Sequence, residues 1–255
     1  MTEDRDVRVH LTPDRLRPEQ VGQSVAVVID VLRATTTIVH ALAAGCCAVW
    51  PIEEVEEARR VADQMRAGRV LLGGERDGVP PAGFDLGNSP AEYTASRCKG
   101  TTLVLTTTNG TRALLRAAAA ARTLVAGFVN FSAVCEQLAA EARPVDIVCA
   151  GYHGDVALED ALLAGALVEF LSEQGAVGLN DAARLAWDCF ENHGRVLDGA
   201  LEVSAGGAHL RGLGYDDDIK AAARVDQFAV VPELRRDPLR VEIGTVGIVK
   251  SHWQK

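Results

Sequence analysis

Short apolar runs of strand length alternate along the chain with longer segments whose apolar residues recur at helical spacing. The strand pattern falls on Val7–Leu11, Val25–Val31, Ala48–Pro51, Val70–Leu72, Thr102–Thr106, Thr123–Ala126 and Val145–Ala150. The helical pattern falls on Thr35–Ala44, Val55–Arg66, Thr111–Ala121, Ser132–Ala140 and Leu158–Glu173. Strands separated by helices of this length predict βαβ crossovers, hence an α/β fold in three layers around a largely parallel or mixed sheet. Ligands of such sheets bind beyond the carboxyl ends of the strands. Two similar, intimately packed α/β halves are compatible with the pattern. A single domain over 1–255 is expected, with a possible subdivision near 176. Past that point Asp181–Glu191, Arg195–Val203 and Asp216–Ala223 read as helices, and Gly206–Gly214 as a glycine-rich connection. Gln227–Val231 and Arg240–Lys250 read as strands.

One segment breaks the alternation. Gly73–Ser89 is too rich in glycine, proline and acid for regular structure, and a loop of that length inside a domain is usually functional or disordered.

Three strand ends carry chemistry. The apolar run Val27-Val28-Ile29 ends in Asp30, followed by Arg33 and by Thr35, Thr36 and Thr37 at the start of a helix pattern. A carboxylate there can hold a divalent metal, and an arginine with a helix start favours a phosphate or sulfonate. A plain helix start with threonine caps is the structural alternative. The second strand end, Thr106-Thr107-Thr108-Asn109-Gly110-Thr111, can cradle an oxyanion; read as structure alone, it is a turn with a cap. At the third, Cys149-Ala150-Gly151-Tyr152-His153 leads to a helix beginning Leu158-Glu159-Asp160. Glu159 and Asp160 suit the positive end of the helix, and with Asp30 and Glu75 they could also form an oxygen-ligand set for Mg²⁺. His153 is a candidate general acid.

Composition narrows the partners. The 255 residues are 48% hydrophobic and 24% charged, as in ordinary globular chains, and Asp and Glu exceed Lys and Arg to give a net charge of −9. That balance offers no long-range attraction for nucleic acid or an anionic membrane, so an anionic substrate needs a local positive site. The six cysteines form no CxxC pair or zinc spacing, Met1–Arg8 lacks an apolar signal core, and no apolar run is long enough for a bilayer. A reducing cytoplasm is expected. Cys189 and Arg195 share the bare C-x5-R spacing of cysteine phosphatases, yet Cys189 lies late in a helical pattern, where no strand-end thiolate forms. Walker-type and G-x-S-x-G motifs are absent, and Leu32 rules out a DxD motif starting at Asp30.

Taken together, Val28–Thr37, Gly73-Gly74-Glu75-Arg76, Gly83–Pro90, Thr106–Thr111, Cys149-Ala150-Gly151, Leu158-Glu159-Asp160, Gly214–Ile219 and Val231-Pro232 resemble segments of the 2-phosphosulfolactate phosphatases, in order and over most of the chain. The resemblance implies a Mg²⁺-dependent acid phosphatase that converts 2-phospho-3-sulfolactate to 3-sulfolactate, a step toward coenzyme M, and a homodimer. On the chemistry of the residues, Asp30 and Asp160 are expected to hold Mg²⁺, with Glu75 and Glu159 as ligands or as groups behind them. Arg33 with Thr35, Thr36 and Thr37 would bind one anionic group. Asn109, Gly110 and Thr111 would bind another, with Arg76 and Asn88 closing the pocket. Asp30, Arg33 and Asp160 are the expected catalytic set, and the nucleophile is either a metal-bound water or Asp30 itself. The competing readings are a non-catalytic module for an anionic metabolite and a phosphotransferase acting on another small phosphoester.

Overall fold

The computed structural model describes residues 5–65, 68–175, 177–246 and 251–253. Ten strands form one mixed sheet: β1 (Arg5–His10), β2 (Val25–Ile29), β3 (Ala48–Pro51), β4 (Arg69–Gly74), β5 (Thr101–Thr106), β6 (Arg122–Ala126), β7 (Val145–Cys149), β8 (Val177–Leu179), β9 (Val230–Arg235) and β10 (Arg240–Val246). Around it pack α1 (Pro18–Val21), α2 (Ala34–Ala43), α3 (Val55–Gln64), α4 (Ala95–Cys98), α5 (Gly110–Ala117) and α6 (Phe131–Ala139). They are followed by α7 (Leu158–Glu173), α8 (Asp181–His193), α9 (Leu197–Val203), α10 (Ala205–Gly212) and α11 (Asp216–Ala222). The α/β class and the mixed sheet are those the hydrophobic pattern predicts. The last residue of the expected helix at Val55–Arg66, the end of the expected strand at Arg240–Lys250, and residue 176 itself lie outside the described residues.

Strand order is β4-β5-β3-β10-β9-β6-β2-β7-β1-β8. β4, β5 and β3 form one parallel block, and β6, β2, β7, β1 and β8 another. The antiparallel pair β9–β10 joins them, with β9 antiparallel to β6 and β10 antiparallel to β3, so the two blocks run in opposite senses.

β2 is the hinge between two cores. All five of its residues are buried. Because side chains alternate along a strand, Val25, Val27 and Ile29 enter a core with Val7, Ile147 and Leu162, while Ala26 and Val28 enter another with Leu42, Leu103 and Leu114. A strand apolar on both faces has to be central, and its polar carboxyl end then faces a crowded rim. α5 packs against β2 and α2 there, which brings the turns after β2 and β5 together.

The expected connection at Gly206–Gly214 is instead largely the helix α10. Ser204 caps it, its side chain accepting from Gly207 N at 3.0 Å. The glycines serve close approach: a Cβ on Gly207 would lie 1.9 Å from Leu201 O, and one on Gly206 would lie 2.4 Å from Glu159 Oε1. Cys189 sits in α8, where burial pushes its thiol up, so the C-x5-R spacing is accidental.

Candidate active site

The β2–α2 turn is built by its own polar side chains. Asp30 Oδ1 accepts from Ala34 N at 3.0 Å, a carboxylate cap at the start of α2. Thr35 Oγ1 accepts from Asp30 N at 3.0 Å and donates to Asp30 O at 2.8 Å. Thr36 Oγ1 donates to Val31 O and Thr37 Oγ1 to Asn88 O, each at 2.8 Å. All three hydroxyl protons are therefore committed to carbonyls, and all three threonines are fully buried. In place of the expected substrate contact, they fasten the turn and tie the long loop to it. Thr107 and Thr111 satisfy one another's amide and hydroxyl groups at 3.0 Å, so Thr111 too is occupied in shaping its turn.

Beyond these turns lies an open cleft. Asp30, Arg33, Glu75, Asn88 and Asn109 line it, five of the residues expected from sequence. Gly110 lies beneath Asp30: a Cβ there would stand 2.6 Å from Asp30 Oδ2 and 2.4 Å from Ala34 Cβ, so the two strand-end turns meet only because this residue has no side chain. Arg76 is turned elsewhere, donating to Glu75 O, Thr106 Oγ1 and Glu53 O. Sequence reasoning left Asp77, Gly206, His209 and Leu210 without a site role, and they line the cleft together with Thr108 and Tyr152 from two of the strand-end turns. Gly206 and His209 belong to α10, whose glycine-rich composition hid the helix.

The four expected metal acids fall into two kinds. Asp160 accepts from Val31 N at 2.8 Å and from Gly151 N at 3.0 Å, so both oxygens hold the ends of β2 and β7 together. Glu75 accepts from Thr108 N and Gly78 N, each at 2.8 Å, and pins the long loop to the turn after β5. In contrast, Glu159 Oε2 is buried with no hydrogen-bond partner, and no donor among the described residues reaches Asp30 Oδ2. Burial pushes the Asp30 carboxyl up to about 7; Glu75 and Glu159 add to the rise, while the Ala34 amide and Arg33 oppose it. Burial also raises Glu159, and it raises Asp160 well above the usual carboxylate range with help from Asp30 and Glu159. Among the described residues no three His, Cys, Asp or Glu side chains form a ready-made metal cluster.

Arg33 is the arginine of the cleft, and it is 3% exposed. Its Nη1 donates to Asp218 Oδ2 at 2.7 Å, its Nη2 donates to Gly78 O at 2.8 Å, and the guanidinium lies 4.5 Å from the Tyr215 ring centroid. Ser89 Oγ donates to the other Asp218 oxygen at 2.5 Å. Tyr215 and Asp218 belong to the acidic segment that opens α11, which carried no assigned role in the sequence.

An α/β protein with buried acids and one fixed arginine at the meeting strand ends has the makings of an enzyme for a small anionic substrate. Known proteins make the class specific. The family model for 2-phosphosulpholactate phosphatase matches residues 10–237, and the chain belongs to that family, a family of phosphoric monoester hydrolases. A probable 2-phosphosulfolactate phosphatase of Symbiobacterium thermophilum is 43% identical over 215 residues, covering 84% of this chain and 92% of the relative. One from Thermosynechococcus vestitus is 40% identical over 227 residues, covering 87% and 93%. One from Caldanaerobacter subterraneus subsp. tengcongensis is 35% identical over 237 residues, covering 92% and 97%.

Proposed function

We propose that the protein hydrolyses 2-phospho-3-sulfolactate to 3-sulfolactate and phosphate with Mg²⁺ as cofactor, as a cytoplasmic homodimer supplying sulfolactate toward coenzyme M. The observation that carries the metal is Glu159 Oε2, buried without a hydrogen-bond partner and close enough to Asp30 to raise its carboxyl, while Asp30 Oδ2 receives no hydrogen bond among the described residues. Buried acids without partners are costly unless they are protonated or meet a cation. Magnesium typically takes one or two carboxylates and completes its shell with water and substrate phosphate. Asp30 and Glu159 fit that demand, which needs no cluster of three. Bound there, the ion would neutralise charge on the transferring phosphoryl group.

The chain's own residues do the rest. Arg33, held by Asp218 and Gly78, presents a fixed positive charge to the phosphoryl oxygens and loses little entropy in doing so. Asn109 and the start of α5 offer donors on the far side of Asp30. Asn88, whose buried Oδ1 has no hydrogen-bond partner, offers an acceptor to an ordered water. Asp160 and Glu75 keep these groups in register through the backbone amides they bind. Phosphate release from 2-phospho-3-sulfolactate, measured with and without Mg²⁺, tests the proposal. Turnover that survives complete removal of divalent ions overturns the metal, and no phosphate release with Mg²⁺ present overturns the substrate.

A further inference from the structure

A substrate with a phosphoester and a second strong acid brings negative charge to both its ends. The floor of the cleft, with Asp30 and Glu75 facing it, repels the second group, and Arg33 is given to the phosphoryl oxygens. In the same cleft, three segments distant in sequence converge. Tyr152 and His153 come from the β7–α7 connection, His209 from α10, and Asp77 with Gly78 from the long loop. The Tyr152 ring stands edge-on to His153, with centroids 4.4 Å apart, and 6.2 Å from His209.

Both imidazoles are placed by backbone. His209 Nε2 lies 3.2 Å from Asp77 O, and a Cβ on Gly78, which has a φ of +81°, would stand 3.1 Å from that nitrogen and 2.5 Å from Leu213 Cδ1. His153 has a φ of 51°, a conformation uncommon outside glycine, at the tip of a hairpin. The hairpin is closed by Tyr152 N donating to Asp155 O at 2.9 Å and Asp155 N to Tyr152 O at 3.0 Å. No side-chain hydrogen bond within the described residues engages the His153 ring or the Tyr152 hydroxyl.

We propose that Tyr152, His153 and His209 form the subsite for the sulfonate of the substrate, an assignment that rests on the hydrolase reading above. A sulfonate spreads its charge over three oxygens in a tripod, which donors arriving from separate elements match. His209 is held through Nε2 by the Asp77 carbonyl, which leaves Nδ1 as the ring's remaining polar atom for the ligand. Tyr152 and His153 supply an O–H and an N–H from the other side.

The test compares 2-phospho-3-sulfolactate with 2-phospholactate, which differs only in lacking the sulfonate. His209→Gln and His153→Gln are each expected to cut the preference in kcat/KM for the sulfonated ester about tenfold, chiefly through KM. A preference that stays within about twofold of the wild type in both variants, or an equal loss on both esters, overturns the subsite. Titration of the wild type with 3-sulfolactate and with lactate, followed by the imidazole C–H resonances, gives a readout without turnover or variants. Shifts of two histidines with 3-sulfolactate alone support the subsite, and the same response to both ligands or to neither overturns it. If the wild type hydrolyses neither ester, the hydrolase reading fails, and this titration still decides the subsite.

Discussion

Two buried aspartates on neighbouring strands meet opposite fates. Asp146, in β7, receives Arg8 in a two-point contact at 2.9 and 2.8 Å and His10 at 2.8 Å. Burial alone would raise it, but the bonds from His10, Arg8 and Ser24 outweigh burial and hold it down at about 2. Asp30, at the end of β2, has one amide on one oxygen and other acids around it, and burial pushes it up to about 7. Both side chains are almost wholly out of water. What separates them is satisfaction: Asp146 is a finished ion pair that joins β1 to β7, and Asp30 is left incomplete where the cleft opens. An incomplete buried acid costs stability, which is why such groups cluster where function requires them.

Substituting both aspartates breaks this comparison most forcefully. Asp30→Asn is expected to lower turnover of the phosphoester by roughly 10³-fold or more with little change in melting temperature, because it removes a charge the fold does not satisfy. Asp146→Asn is expected to do the reverse, costing about 2 kcal/mol in urea unfolding while kcat stays near the wild-type value. Equal stability losses in the two variants, or an active Asp30→Asn, would show that the distinction between a finished and an unfinished acid is false.

Asp218 sharpens the comparison, because it is satisfied like Asp146 but its partner, Arg33, faces the cleft. Removing it in Asp218→Ala strands a guanidinium that is 3% exposed. The expected cost is about 3 kcal/mol in stability, together with a roughly tenfold or greater loss of kcat/KM, since Arg33 loses its orientation. Urea denaturation and steady-state kinetics on the same preparation check both halves. A stability loss with normal kcat/KM would make Asp218 another Asp146.

Nine of the ten strands, all but the short, half-buried β8, and most of the longer helices could be read from their apolar runs. The expected α7 matches residue for residue, and β3 likewise, each being a nearly continuous buried run between polar connections. α10 was hidden because glycine counts against a helix in any propensity scale, whereas here two glycines are what α9 and Glu159 require at close approach. Asp30, Arg33, Glu75 and Asn109 could be read as cleft residues because each lies at or just past a strand end, and Asn88 because it belongs to the irregular long loop. The hydroxyls of Thr35–Thr37 were misjudged because sequence gives a threonine's presence but not the acceptor its proton takes. The sorting of the acids had the same limit. Glu159 and Asp160 are adjacent, yet only the tertiary positions of Val31 N and Gly151 N make Asp160 a tie between strands and leave Glu159 Oε2 bare. His209 had no local signal, since its partner Asp77 is 132 residues away in sequence.

The smallest expected effect is also the one that sets the two aspartates on a common scale. A carboxyl held near 7 is protonated over part of the neutral range, and a proton on Asp30 competes with Mg²⁺ for the same oxygens. The apparent affinity for Mg²⁺ should therefore fall with decreasing pH below about 7, approaching tenfold per pH unit, and level off above it. For Asp146 the folded value lies below the ordinary one, so its contribution to stability is complete above pH ~4 and is lost only as the pH falls toward about 2. Calorimetric Mg²⁺ titrations between pH 5.5 and 8 and acid unfolding between pH 5 and 2, pH windows spanning roughly one to two units around each group, separate the two. In Asp30→Asn the pH dependence of whatever Mg²⁺ affinity remains should flatten while the acid limb of unfolding stays in place. Asp146→Asn should shift the acid limb and leave the Mg²⁺ profile alone. If the Mg²⁺ affinity of the wild type proves flat from pH 8 to pH 5.5, Asp30 is not the group that meets the ion.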